Sequence, residues 1–140
     1  MPYREKTAWL SLIAMAVTFG PYFMIVAVRS LPGALPNLRQ LGLFAIAAIV
    51  QMLILGAGHL YLRRGSHQDA RTPPDERDRA IMCRSVSSAY YVLIVGMILV
   101  GCVMPFSSSG WSIINAALVM IVVAEVVHYG VVVLNYRRQT

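Results

Sequence analysis

Long apolar runs divide this chain into four segments. No charged residue occurs from Thr7 to Val28 or from Leu41 to Leu62. A third charge-free stretch, from Ser85 to Ala124, is too long for one helix and is interrupted by the turn-forming sequence MPFSSSG at 104–110. A spanning helix needs about 20 predominantly apolar residues. The pattern therefore predicts four transmembrane helices, near 7–28, 41–62, 84–104 and 112–135.

The predicted fold is all-α, a polytopic four-transmembrane-helix bundle that forms a single membrane domain over residues 1–140. Composition agrees with this prediction, because 58% of the residues are hydrophobic and only 13% are charged. A soluble domain carries about 25% charged residues. The one sizeable polar segment is the connection at 63–83, between the second and third spans.

The positive charges lie mainly on one side of the predicted membrane. Ten of the twelve Lys and Arg residues precede the first span, lie between the second and third spans, or follow the fourth. The positive-inside rule then places both termini and the 63–83 connection in the cytoplasm. We therefore expect a multi-pass protein of the inner (plasma) membrane. The net charge of +6 is then explained by basic residues that flank the spans, and the expected partner is the lipid bilayer. We expect no direct binding to nucleic acid.

Three polar side chains fall at one depth within the spans. Glu125, Gln51 and Thr18 each lie twelve residues from a flanking cation, which corresponds to a rise of about 18 Å along a helix. A charge at this depth costs roughly 2.5–3.5 kcal/mol on insertion scales. Polar side chains in lipid form hydrogen bonds across helices. We therefore expect all three to face the interior of the bundle, where Gly96, at the same depth, leaves room.

Several roles are open for this layer and for His128, three residues after Glu125. One is a structural hydrogen-bonded cluster, and another is a small proton-coupled transporter that uses Glu125. A third is a metal or haem site, with His59 and His128 as candidate ligands. No motif indicates a cofactor or a catalytic residue, so the sequence does not propose an enzyme.

The polar connection contains a signal for the start of the third helix. Thr72 is a candidate N-cap and Pro73 fits the first helical position. Asp75 and Arg79 are spaced for a favourable i,i+4 ion pair. These residues predict a third helix that begins near Pro73 and projects beyond the membrane into the cytoplasm.

The sequence DERDRAI at 75–81, directly before the third of four short spans, resembles a group of small bacterial inner-membrane proteins of unknown function. Those proteins carry a D-E-R-D/E run at this place. The resemblance implies no catalytic residues. Because members are often encoded beside small helix-turn-helix regulators, it implies a cytoplasmic regulatory protein as partner.

The leading functional hypothesis is therefore an inner-membrane anchor or sensor that binds a cytoplasmic partner through the 63–83 connection. A homo-oligomer is a further hypothesis. The candidate partner-binding residues are Asp75, Glu76, Arg77, Asp78 and Arg79.

Overall fold

Four long helices make up the structure, a computed structural model that describes residues 3–28, 38–65, 73, 75–108 and 110–138. No strand occurs in these ranges. The helices are α1 (Tyr3–Val28), α2 (Leu38–Gly65), α3 (Glu76–Ile98) and α4 (Trp111–Arg137). Each of the four, taking α3 with its continuation to Phe106, is long and apolar enough to cross a membrane. The prediction of four apolar helices is confirmed.

The third helix begins later than predicted. Asp75, with extended backbone angles, is the N-cap, and its carboxylate accepts a hydrogen bond of 2.8 Å from the Glu76 backbone N–H. Pro73 is not helical, so the prediction that it is the first helical residue is wrong. The residue before a proline is driven away from helical angles, and Pro73 precedes Pro74. Thr72, the predicted N-cap, lies outside the described residues.

The far end of α3 changes its helical geometry before the chain turns. A π-helical turn (Leu99–Val103) and a 3-10 turn (Met104–Phe106) follow α3 directly, which makes a helical segment of 31 residues. Gly110 then has a φ of 62°, a conformation that residues with a side chain rarely adopt. The predicted turn at 104–110 is thus confirmed in its described residues, and α4 begins at Trp111.

The helices pack in the order α2, α1, α4, α3. Extensive contacts join α3 to α4, α4 to α1 and α1 to α2, whereas α2 and α3 share at most a marginal contact in the described residues. Two glycines permit close approach: a side chain at Gly58 would clash with Leu10 of α1, and one at Gly96 with Met120 of α4. The expected bundle therefore has the form of an open row, with α2 and α3 at its edges.

Candidate functional site

A carboxylate joins three helices at one end of the molecule. Asp78, in the first turn of α3, lies 2.7 Å from Nη1 of Arg4 on α1. The hydroxyl of Tyr136, near the end of α4, donates a hydrogen bond to Oδ1 of the same carboxylate. We call these three residues the Asp78 network, and this end of the molecule the basic end. The Arg4 and Asp78 side chains are only 31% and 23% exposed, so solvent screens this pair less than a surface pair.

A second contact at the basic end joins α1 to α4. The carboxylate of Glu5 is buried, and its Oε1 lies 3.9 Å from Nε of Arg137. The Arg137 guanidinium also lies over the ring of Trp9, 5.2 Å from its centroid, where a cation is attracted by the aromatic face. The start of α1 is therefore held by charge contacts to both α3 and α4.

A cavity of about 560 Å³ opens beside the Asp78 network, between α1, α3 and α4. We call it the basic-end groove. Its wall combines apolar side chains from all three helices with the Asp78 network and one further cation. The lining residues are Arg4, Thr7, Ala8, Asp78, Arg79, Ile81, Met82, Cys83, His128, Tyr129, Val132 and Tyr136.

Another cavity, of about 580 Å³, lies between α1, α2 and the end of α4. Its charged lining residues are Lys6 and Arg137. Arg137 contacts Glu5 and Trp9. For Lys6, the structure gives no partner among the described residues.

The N-cap and the first turn of α3 contain the five residues predicted to bind a partner. Asp75 caps the helix, and Asp78 belongs to the Asp78 network. Glu76, Arg77 and Arg79 have exposed side chains. The predicted ion pair between the Asp75 and Arg79 side chains is not formed. The two residues are joined only through the backbone, by a hydrogen bond of 3.0 Å from the Arg79 N–H to the Asp75 carbonyl.

Of the predicted intramembrane layer, Thr18 and Gln51 do meet. The Thr18 hydroxyl donates to Oε1 of Gln51 at 2.6 Å, and both residues are buried. The same hydroxyl lies 2.8 Å from the Ala14 carbonyl, so its single proton is shared between two acceptors. This pair connects α1 to α2. The space predicted beside Gly96 is also present, and the Met120 side chain of α4 occupies it.

Glu125 does not join that pair. Its side chain is exposed on the surface of the chain, and the prediction that it faces the interior with Gln51 is wrong. The physical reason is the order of the row, in which α1 lies between α2 and α4. The spacing from a flanking cation gives the depth along the helix axis, but it does not determine the direction around that axis. Proton-coupled transport at Glu125 stays a prediction.

The two candidate metal-binding histidines lie apart in the row. His128 lines the basic-end groove and packs edge-on against Tyr129, with ring centroids 4.8 Å apart. His59 is exposed on α2, with Nδ1 2.8 Å from the Leu55 carbonyl of its own helix. Within the described residues no group of three His, Cys, Asp or Glu side chains could hold a metal ion, and no hydrogen bond joins Glu125 to His128.

The sequence analysis missed a polar contact at the other end of the molecule. The Tyr22 hydroxyl of α1 donates to Oδ1 of Asn115 on α4 at 3.1 Å. The Tyr22 ring also packs edge-on against Phe44 of α2, with centroids 5.5 Å apart. An amide inside an apolar run was the available signal, because such a group seeks a partner on a neighbouring helix.

No protein-family model, curated protein or solved structure is matched by this chain. The part of the resemblance that the structure supports is the set of four apolar helices.

Proposed function

We propose that this protein is a small multi-pass protein of the inner membrane that anchors or senses a cytoplasmic partner. The partner binds the exposed charges in the first turn of α3, at Glu76 and Arg77. The observation that carries this proposal is the Asp78 network, which fixes that turn against α1 and α4. A partner therefore meets a preformed surface, and binding avoids the entropy cost of ordering a loop.

The network also supports the sensing role. Arg4 and Tyr136 contact one carboxylate from two different helices, so a shift of α1 against α4 changes how the first turn of α3 is held. The start of α1, the start of α3 and the end of α4 meet here. Ten of the twelve basic residues lie on this side of the predicted membrane. The positive-inside rule assigns this end to the cytoplasm. The resemblance to small bacterial inner-membrane proteins favours a regulatory protein as the partner.

A charge swap tests this proposal. Glu76→Lys combined with Arg77→Glu reverses both exposed charges without changing the net charge. We expect this double variant to lose the cytoplasmic protein that co-purifies with the wild type after mild solubilisation and cross-linking, because opposed like charges exclude the partner. The measurement is quantitative mass spectrometry of the captured proteins. Helix content by circular dichroism checks that the variant folds.

Arg138→Glu is the matched control, since Arg138 is exposed at the end of α4 and lies outside the 63–83 connection. It should retain the partner. Equal capture by the wild type and by the double variant would remove the proposal, and equal loss in the double variant and in the control would show a general charge effect.

A further inference from the structure

The basic-end groove combines features of a site for an amphiphilic ligand. Its volume of about 560 Å³ lies within the range of roughly 300–1,000 Å³ found for small-molecule sites. Ala8, Ile81 and Val132 form a buried apolar wall contributed by three helices. Met82 lines the same cavity and is half exposed, so one side of the groove is open to the surroundings of the helices.

The charges at the groove favour an anion. Asp78 is neutralised by Arg4, which leaves the exposed cation Arg79 in excess. A guanidinium presents five N–H donors, so the single ion pair with Asp78 leaves Arg4 with donors for a second acceptor. His128 lines the same cavity and offers one more ring nitrogen.

We propose that the basic-end groove binds one anionic phospholipid of the surrounding bilayer. An acyl chain lies against Ala8, Ile81 and Val132, and the phosphate contacts Arg79 and Arg4. Basic pockets between transmembrane helices on the cytoplasmic side are suited to anionic head groups. The surrounding membrane supplies this ligand at high local concentration. Glu76 and Arg77 do not line the groove, so this inference does not rest on partner binding.

The test measures lipid retention by native mass spectrometry of the detergent-solubilised full chain, with phosphatidylglycerol or phosphatidylcholine added. Two variants address the groove. Arg79→Gln removes the excess charge, and Met82→Trp fills the open side without altering the buried wall. Lys6→Gln is the matched control, because Lys6 lines the other cavity at the same end. Circular dichroism checks the fold of each variant.

We expect the wild type and Lys6→Gln to retain phosphatidylglycerol in preference to phosphatidylcholine. Arg79→Gln should weaken phosphatidylglycerol retention about fivefold, as expected for one cation near a membrane surface. Met82→Trp should lower the retention of the lipid even though every charge is kept.

Three results would overturn the proposal. Equal retention of the two lipids by the wild type would show that the groove does not select an anionic head group. An equal loss in Lys6→Gln and Arg79→Gln would place the lipid elsewhere on the basic end. Displacement of phosphatidylglycerol by millimolar inorganic phosphate, with no effect of Met82→Trp, would identify a site for free anions.

Discussion

At the scale of single residues, depth in the membrane and direction around the helix are separate properties. Thr18, Gln51 and Glu125 were predicted to share a layer because each is twelve residues from a flanking cation. Thr18 and Gln51 form a buried hydrogen bond, whereas Glu125 is exposed. Residue spacing gives the axial rise directly. Residue spacing does not show which residues of other helices are in contact, because the choice of neighbouring helices depends on the packing of all four.

This difference predicts opposite effects of two substitutions on stability. Thr18→Val keeps the shape of the side chain but leaves the buried Gln51 amide without its hydroxyl partner, so the free energy of unfolding should fall by about 1–2 kcal/mol. Glu125→Leu removes an exposed carboxylate from an apolar helix, and the free energy of unfolding should stay unchanged or rise. The measurement is unfolding by sodium dodecyl sulfate in detergent micelles, followed by circular dichroism.

A comparable loss of stability in both variants would contradict the structure. Such a result would indicate that Glu125 faces the interior of the bundle, as the sequence predicts.

At the scale of the elements, the apolar runs predicted the existence of each helix, and the described bounds extend beyond the predicted spans at most ends. The start of α3 was less predictable. Thr72 and Asp75 are both good N-cap residues, and the adjacent prolines decide between them. Because Pro74 restricts the backbone of Pro73, the helix does not begin at Pro73. Asp75 is the N-cap instead, and its carboxylate accepts a hydrogen bond from the Glu76 N–H.

The close packing of α3 against α4 depends on the absence of a side chain at Gly96. Gly96→Val should lower the free energy of unfolding by about 1–3 kcal/mol, because the added atoms overlap Met120 and force the two helices or that side chain to move. Gly130→Val is the matched control within α4, since nothing lies within 4 Å of a Cβ added there. Both variants place the same β-branched residue in a helix, so the propensity cost is common to both. Equal stability of the two variants, measured by thermal unfolding in detergent, would contradict the close packing at Gly96.

At the scale of the whole molecule, the row of helices could not be read from the sequence. Lipid-facing and protein-facing positions of a spanning helix are both apolar, so the pattern carries little information about which side meets a neighbour. Exposed apolar residues of α2 such as Ile46, Ile49 and Leu53 are suited to lipid or to a second copy of the chain. The Asp78 network was equally hidden, because the sequence analysis used the basic residues near the helix ends only as a topology signal, and residue spacing does not link Arg4 and Tyr136 to Asp78.

The central claim is that the four helices cross a membrane with the basic end in the cytoplasm. A direct test is labelling with a membrane-impermeant maleimide in a background where Cys83 and Cys102 are replaced by serine. Single cysteines are introduced at Ser107, in the turn before α4, and at Arg138, just after it; both positions are exposed. We predict that Ser107→Cys is labelled in intact cells and that Arg138→Cys is labelled only after the membrane is permeabilised. Labelling of Arg138→Cys in intact cells, or equal labelling of both positions there, would contradict the account.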